Sequence, residues 1–435
     1  MTRSRHRSSK RSFLSRRVFW SALPLVGFVS GLVLASGVHF VRQRTELIGL
    51  MRATVACGLS TNFKADGTRI FPRGCDVAKP IEPLRSPWAE TNQAIAQGLD
   101  FLTSAPDYNQ LRYSVTTPPP FQTTTETETA PGLQEIVDGV VQQVADKGLP
   151  TAALSVSLVD LTGDCCGYGA YQDQQPRYPA SVVKLFWLVA LYGQYEAGTL
   201  QPDVDVSVDD EALMAHYSNN GASSRIVDAL TQTESGEELT GGNWQHWLAA
   251  RQSLNTYFLR ANYPNLNIAH KTFPIPDLGL TERHGRDRQL ANDENTLGAE
   301  PALARNYLTT QAMARLLYEI DTGQAISANW SDRIKQHLRH STDPAVWQRE
   351  DPNAIAGFFG EYLPPDVQLF TKLGFTFDDG RQEAAIIASP DNQTRFALVM
   401  FANDAVYSYE DVTVFPTVSR YVYDQMQYRS AERSP

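Results

Sequence analysis

Ser181 and Lys184 are the residues of this sequence best suited by type and spacing to covalent chemistry. They open an apolar run, Ser181 to Tyr195, that reads as a helix. Positions three apart lie one turn apart on the same helix face. An amine held there can take the proton of the serine hydroxyl if burial keeps it neutral. The helix N-terminus also favours negative charge developing at the serine. The chain has eight lysines, and this is its only Ser-x-x-Lys. Two other segments offer partners. Tyr217-Ser218-Asn219-Asn220-Gly221-Ala222 precedes an apolar helical run (Ile226, Val227, Ala229, Leu230), and Thr371-Lys372-Leu373-Gly374 ends a strand that leads to Asp378-Asp379-Gly380.

These groups need a scaffold. Leu133, Ile136, Val137, Val140, Val141 and Val144 form a helical apolar stripe. Ala153–Leu161 reads as a strand, and Thr162-Gly163-Asp164 turns it into a second near Cys165–Tyr171. Trp244–Phe258 and Thr310–Ile320 read as helices, with Trp187, Trp244 and Trp247 as core. Val367–Leu373, Glu383–Ser389 and Arg395–Phe401 read as strands joined by hairpin-length turns, and Phe415–Met426 as a closing helix. The order predicts an α+β fold, an antiparallel β-sheet flanked by helices with a helical subdomain inserted.

With these elements in order, the three segments resemble the serine-reactive penicillin-recognising superfamily, most closely class A β-lactamases, whose motifs are Ser-x-x-Lys, Ser-Asp-Asn and Lys-Thr/Ser-Gly. Leu308-Thr309-Thr310-Gln311-Ala312-Met313-Ala314 is similar to that family's Thr-Thr-Pro-x-x-Met-Ala helix start, and the stretch from Lys372 to Ala388 to its final hairpin. The resemblance covers about Gly132 to Tyr428. It implies Ser181 as acylated nucleophile, Lys184 as its base, and Ser218 as proton carrier to the leaving nitrogen. It implies Asn220, Lys372 and Gly374 as substrate-binding, and the backbone N–H groups of Ser181 and Phe375 as an oxyanion hole. Each residue also has an ordinary reading: Lys184 snorkelling, Ser218 capping a helix, Lys372 guarding a sheet edge. His216 invites a triad reading, but Lys184 already supplies the base, and a histidine beside a turn is more often packing or surface.

The sequence departs from the family in four places, one of them a segment from Ser181 to Ser218 that is shorter than in typical class A enzymes. Leu373 stands where a hydroxyl residue is usual, Asn219 where an aspartate is usual, and no clear Glu-x-x-Leu-Asn precedes Thr309. That glutamate activates the deacylating water in β-lactamases. Asp293, Glu294 and Glu300 lie in the matching loop, and Glu294 is taken as the candidate from its distance to Thr309. The first functional reading is a membrane-anchored serine hydrolase opening a β-lactam amide. The second is a D-Ala-D-Ala peptidase, penicillin-binding enzyme or slow esterase on cell-wall peptides. The third is a catalytically weak cell-envelope binding protein. No cofactor or metal is expected, since no C-x-x-C, H-E-x-x-H or phosphate-binding glycine loop occurs.

Residues 1–44 carry nine Lys/Arg and no acid, whereas the remainder carries 29 positive and 48 negative charges. An acidic body is unsuited to nucleic acid. Val18–Val41 lacks charge and is long enough to cross a bilayer. The basic leader before it puts the body on the extracytoplasmic side. A retained anchor is favoured over a signal peptide cleaved near Ala35-Ser36-Gly37, because the apolar stretch is long. The expected organisation is a leader (1–17), transmembrane helix (18–41), juxtamembrane region (42–115), Thr/Pro-rich linker (116–131) and a catalytic domain (132–430), expected to be monomeric. Cys57 and Cys75 flank a short loop that they could close, whereas the adjacent Cys165 and Cys166 read as free, half-buried thiols.

Overall fold

The computed structural model describes residues 113–123, 131–162, 166–292 and 305–433. The chain divides into two units, residues 1–100 and 101–435, and every described residue belongs to the second. Val18–Val41, Cys57, Cys75, Cys165, Asp293, Glu294 and Glu300 lie outside the described residues. Among the described residues no helix is long and apolar enough to cross a membrane.

Seven strands form one sheet: β1 (Gln122–Thr123), β2 (Leu154–Asp160), β3 (Gly167–Tyr171), β4 (Arg339–His340), β5 (Gln368–Thr376), β6 (Gly380–Ala388) and β7 (Arg395–Ala402). Their spatial order is β1-β3-β2-β7-β6-β5-β4. All pairs are antiparallel except β1 with β3. β6 is buried along its whole length, so both sheet faces are covered. Its side chains alternate between the two cores, as a period of two requires. Ala384 and Ile386 join one core, Ala385 and Ile387 the other.

The helices explain the two cores. On one face lie α1 (Leu133–Asp146), whose stripe of Leu133, Ile136, Val137, Val140 and Val144 is buried, and the closing α8 (Val414–Arg433). The other face carries α2 (Lys184–Glu196), α3 (Val208–Ala215), α4 (Asn220–Thr231), α5 (Gly241–Leu259), α6 (Thr310–Asp321) and α7 (Ala328–Leu338). From Lys184 to Tyr192 every residue of α2 is buried, the pattern of a helix at the centre of a core. Trp187 lies in that core, while Trp244 and Trp247 build a small separate cluster with Leu290. At the β5–β6 turn Gly380 has a φ of +76°, and an added Cβ would meet the Ala402 carbonyl oxygen, so only glycine fits.

Two findings correct the expectations. The body begins upstream of Gly132. Tyr113 is fully buried in the helical core, Phe121 stacks on Tyr168 at 4.7 Å, and Gln122 N–H donates to the Cys166 carbonyl at 3.0 Å. The Thr/Pro composition of this stretch hides those two aromatic anchors. Cys166 is buried and disulfide-bonded rather than a free thiol.

Candidate active site

The geometry around Ser181 starts with the chain entering α2. Ala180–Val183 makes a 3-10 turn that runs straight into the helix. Ala180 takes φ +44°, a left-handed backbone in a non-glycine residue that costs about 1–3 kcal/mol and gathers at functional sites. Distant side chains hold the turn in place. Asn403, just beyond β7, donates to the Tyr178 carbonyl at 2.9 Å and accepts from the Tyr178 N–H at 3.1 Å. Arg305 pairs with both oxygens of Asp379 at 2.9 and 2.6 Å and lies 3.5 Å over the Tyr178 ring. Sequence reasoning missed Asn403, Arg305 and Asp379, since nothing local marks contacts across such separations.

The structure brings Ser181, Lys184, Ser218, Asn220, Lys372 and Gly374 together from four elements. Lys184 is wholly buried, so it does not snorkel. Its Nζ donates to the Ser218 carbonyl at 2.5 Å and to Asn220 Oδ1 at 2.7 Å, and lies 3.3 Å from Ser218 Oγ. Burial, and then the charge of Lys372, hold its pKa well below the ordinary lysine value. A neutral amine has two N–H groups and one lone pair. The carbonyl and amide oxygens take the two protons, which leaves the lone pair for a hydroxyl. Ser181 is half-buried, and its Oγ has no hydrogen-bond partner among the described residues.

Ser218 precedes α4 with φ +58°, the second left-handed non-glycine residue of the site. It does not cap the helix: Asn219 does, accepting from the Ala222 N–H at 2.8 Å. Asn220 also accepts from Thr272 Oγ1 at 2.9 Å and donates to the Pro274 carbonyl at 2.8 Å. Residues 272–274 bond to this side of the site and carry no acid, while further along the same loop Asp277 packs on Gly221 and pairs with Arg225. Among the described residues no carboxylate hydrogen-bonds to Ser181, Lys184, Ser218 or Asn220.

β5 supplies the opposite wall. β4 pairs only with its Leu369 and Phe370, so among the described residues the strand's outer side beside Lys372 is not paired with another strand, yet Lys372 is buried rather than guarding a solvent-facing edge. Lys372 is 2% exposed, and burial lowers its pKa to about 7 against the upward pull of Glu383. Glu383 is itself buried, accepts from the Phe359 N–H and Thr371 Oγ1 at 2.7 Å each, and has its pKa raised by burial to about 8. A Cβ on Gly374 would come 2.6 Å from the Pro179 carbonyl oxygen and 3.0 Å from Ser181 N. Only glycine lets β5 run this close to the serine. The Phe375 ring packs against the α1/α8 core and edge-on to Phe377 at 5.1 Å.

The arrangement can polarise a serine, shuttle its proton through Lys184 and Ser218, and hold an anion near Lys372. A family model described as the beta-lactamase enzyme family matches residues 140–426. No curated protein matches the chain. Among solved structures the chain is similar to a class A beta-lactamase from Bacteroides cellulosilyticus DSM 14838, at 14% identity over 68% of this chain and 98% of that one, with a TM-score of 0.46. It is also similar to PBP-A, at 17% identity over 72% of this chain and 99% of that one, with a TM-score of 0.45. A beta-lactamase from Chitinophaga pinensis DSM 2588 is 16% identical over 67% of this chain and 99% of that one, with a TM-score of 0.43.

Proposed function

The chain belongs to the beta-lactamase enzyme family, and we propose that this serine hydrolase opens a β-lactam amide by acylation of Ser181 and releases the product slowly. The observation that carries the chemistry is Lys184: a buried amine with a lowered pKa, three residues from the serine, hydrogen-bonded to Ser218 and Asn220. In this reading Ser181 Oγ attacks the lactam carbonyl and its proton passes to Lys184. The N–H groups of Ser181 and Phe375 hold the oxyanion. As the C–N bond breaks, Lys184 returns the proton through Ser218 to the leaving nitrogen. The product is an acyl ester on Ser181 with the ring opened.

Slow release is supported by the described residues that bond to Asn220. Thr272, Phe273 and Pro274 offer no carboxylate to activate water, and the Asn220 amide is already bonded to Pro274. A cell-wall peptide ending in a free carboxylate is the natural substrate class that fits such an acyl-transfer site. Glu294 is the candidate base in the competing reading of rapid hydrolysis. The Val18–Val41 stretch and its basic leader support attachment to the membrane with the catalytic unit on the extracytoplasmic side.

Labelling with a reporter penicillin, followed by peptide mapping, tests the assignment. The expected result is one modified peptide containing Ser181 and none in Ser181→Ala. Equal labelling of that variant would remove Ser181 from the chemistry.

A further inference from the structure

The segment from Lys271 to Asp277 lies along α4 and is fastened to it at both ends. At the helix start, Thr272 Oγ1 donates to Asn220 Oδ1 at 2.9 Å, and the Pro274 carbonyl accepts from Asn220 Nδ2 at 2.8 Å. The Asp277 carboxylate packs on Gly221 and pairs with Arg225 one turn further on. Nearer the helix end, Lys271 Nζ donates to Asp228 Oδ2 at 2.6 Å and to Ser235 Oγ at 2.8 Å. Asn220 and Asp228 are eight residues apart, about 12 Å along a helix. The Lys271 side chain is fully buried. Arg251 of α5, equally buried, donates to the other Asp228 oxygen at 3.1 Å and to Thr233 Oγ1 at 2.8 Å. On its upstream side the segment is tied to the entry of α6. Asn306 donates to the His270 carbonyl at 2.7 Å and accepts from the His270 N–H at 3.0 Å. A buried ion pair is a weak source of stability, because desolvation offsets most of its attraction. What it does fix is position.

The group so positioned is the Asn220 amide. Its oxygen accepts from Lys184 Nζ at 2.7 Å and from Thr272, and its nitrogen donates to Pro274. Turned over, the amide would set its N–H groups against the Lys184 donors and its oxygen against the Pro274 carbonyl oxygen. The segment therefore selects one orientation of Asn220. That orientation gives Lys184 the second of its two acceptors, beside the Ser218 carbonyl, and leaves the lone pair of the amine for a hydroxyl. We propose that the buried Asp228–Lys271 pair is a positioning device for acylation: it presses the 271–274 segment onto α4, and through Thr272 and Pro274 it holds Asn220 in the orientation that Lys184 needs as a base. Asp228 and Lys271 act through Asn220 and are positioning residues, not catalytic ones. The inference rests on the reading of Ser181 as the acylated residue.

The test is a double-mutant cycle on the rate at which a reporter penicillin labels Ser181 in the full chain. Lys271→Met, Asp228→Asn and Thr272→Val should each slow labelling of the folded molecules by about ten- to a hundredfold, the cost of a small misplacement carried in from outside the reacting atoms. Thr272→Ser keeps the hydroxyl and should label at close to the parent rate. Made on top of Asn220→Ala, the same three substitutions should change the rate by about twofold at most, because the group they orient is gone. Thermal melting of each sample separates folding from chemistry. Asp228→Asn keeps the shape of the side chain and carries the test of the ion pair if Lys271→Met does not fold. Lower melting temperatures with labelling at the parent rate would make the pair merely structural and overturn the inference. Losses that add in full on the Asn220→Ala background would overturn it as well. Absence of labelling at Ser181 in the parent chain would instead overturn the acylation reading on which the inference rests.

Discussion

Two buried polar clusters in the helical half differ in how their charges are matched. Around Arg315 the ion pair is made and all three guanidinium nitrogens donate hydrogen bonds, although the nearby Tyr113 hydroxyl has no partner among the described residues. Arg315 bonds to Glu319 at 2.7 Å and to the carbonyls of Asn262, Val115 and Ala261 at 2.7–2.9 Å, and Tyr263 donates to Glu319. Around Ser181 the balance is uneven. Lys184 and Lys372 are buried near each other, no described carboxylate bonds to either, and His340 Nδ1 has no partner. Two residues there, Ala180 and Ser218, are left-handed; the Arg315 cluster also has one, Asn262, but asparagine is a type that tolerates this conformation. Buried polar groups are normally satisfied, so the first cluster needs no role beyond tying residues 113–123 to the body. The second pays in strain and unpaired charge for groups poised to act.

The comparison can be broken by mutation. Lys184→Met should lower the acylation rate of Ser181 by about 10²–10⁴-fold, the usual worth of a general base, with cooperative unfolding retained. Labelling kinetics and thermal melting on one sample check both halves. Arg315→Met should do the reverse. Removing one partner of a buried pair costs about 3–5 kcal/mol, seen by denaturant unfolding, while the molecules still folded acylate at the parent rate. Equal loss of both properties in either variant would erase the distinction. Tyr113→Ala should cost about 3 kcal/mol or more by opening a cavity in the helical core, and a chain beginning at Gly132 should be less stable still.

The smallest effect concerns Glu383. Its folded pKa of about 8 lies above its unfolded value, so the folded chain holds a proton that the unfolded chain has released. Its contribution to stability therefore falls as pH rises from about 5 to 8, by up to about 1.4 kcal/mol per unit. Glu383→Gln should remove that slope in pH-dependent unfolding. An unchanged slope would assign it to another group.

The sequence made the central scaffold readable because its signals are local. Continuous apolar runs bounded by turn residues mark β6 and β7, and the uninterrupted apolar run after Ser181 marks α2. Ser181, Lys184, Ser218, Asn220 and Lys372 stand in short motifs whose spacing survives in the fold. What escaped notice depends on contacts across long separations. β4 is two residues long and exists only because β5 lies beside it. His340 has no motif and is stacked on His216 only by the fold. The clamp on Tyr178 joins residues 225 positions apart. The wall beside Asn220 comes from Thr272 and Pro274, whereas counting back from Thr309 pointed to Glu294. Tyr113 and Phe121 were masked by the prolines and threonines around them.

The account turns on what happens to Ser181 over time. Intact-mass spectrometry of the full chain after addition of a penicillin measures it directly. The predicted result is a single adduct with the mass of the whole antibiotic, absent in Ser181→Ala and decaying far more slowly than it forms. Rapid build-up of ring-opened product with no accumulating adduct would contradict slow release and direct attention to a deacylating base such as Glu294. No adduct and no product would contradict the acylation reading itself.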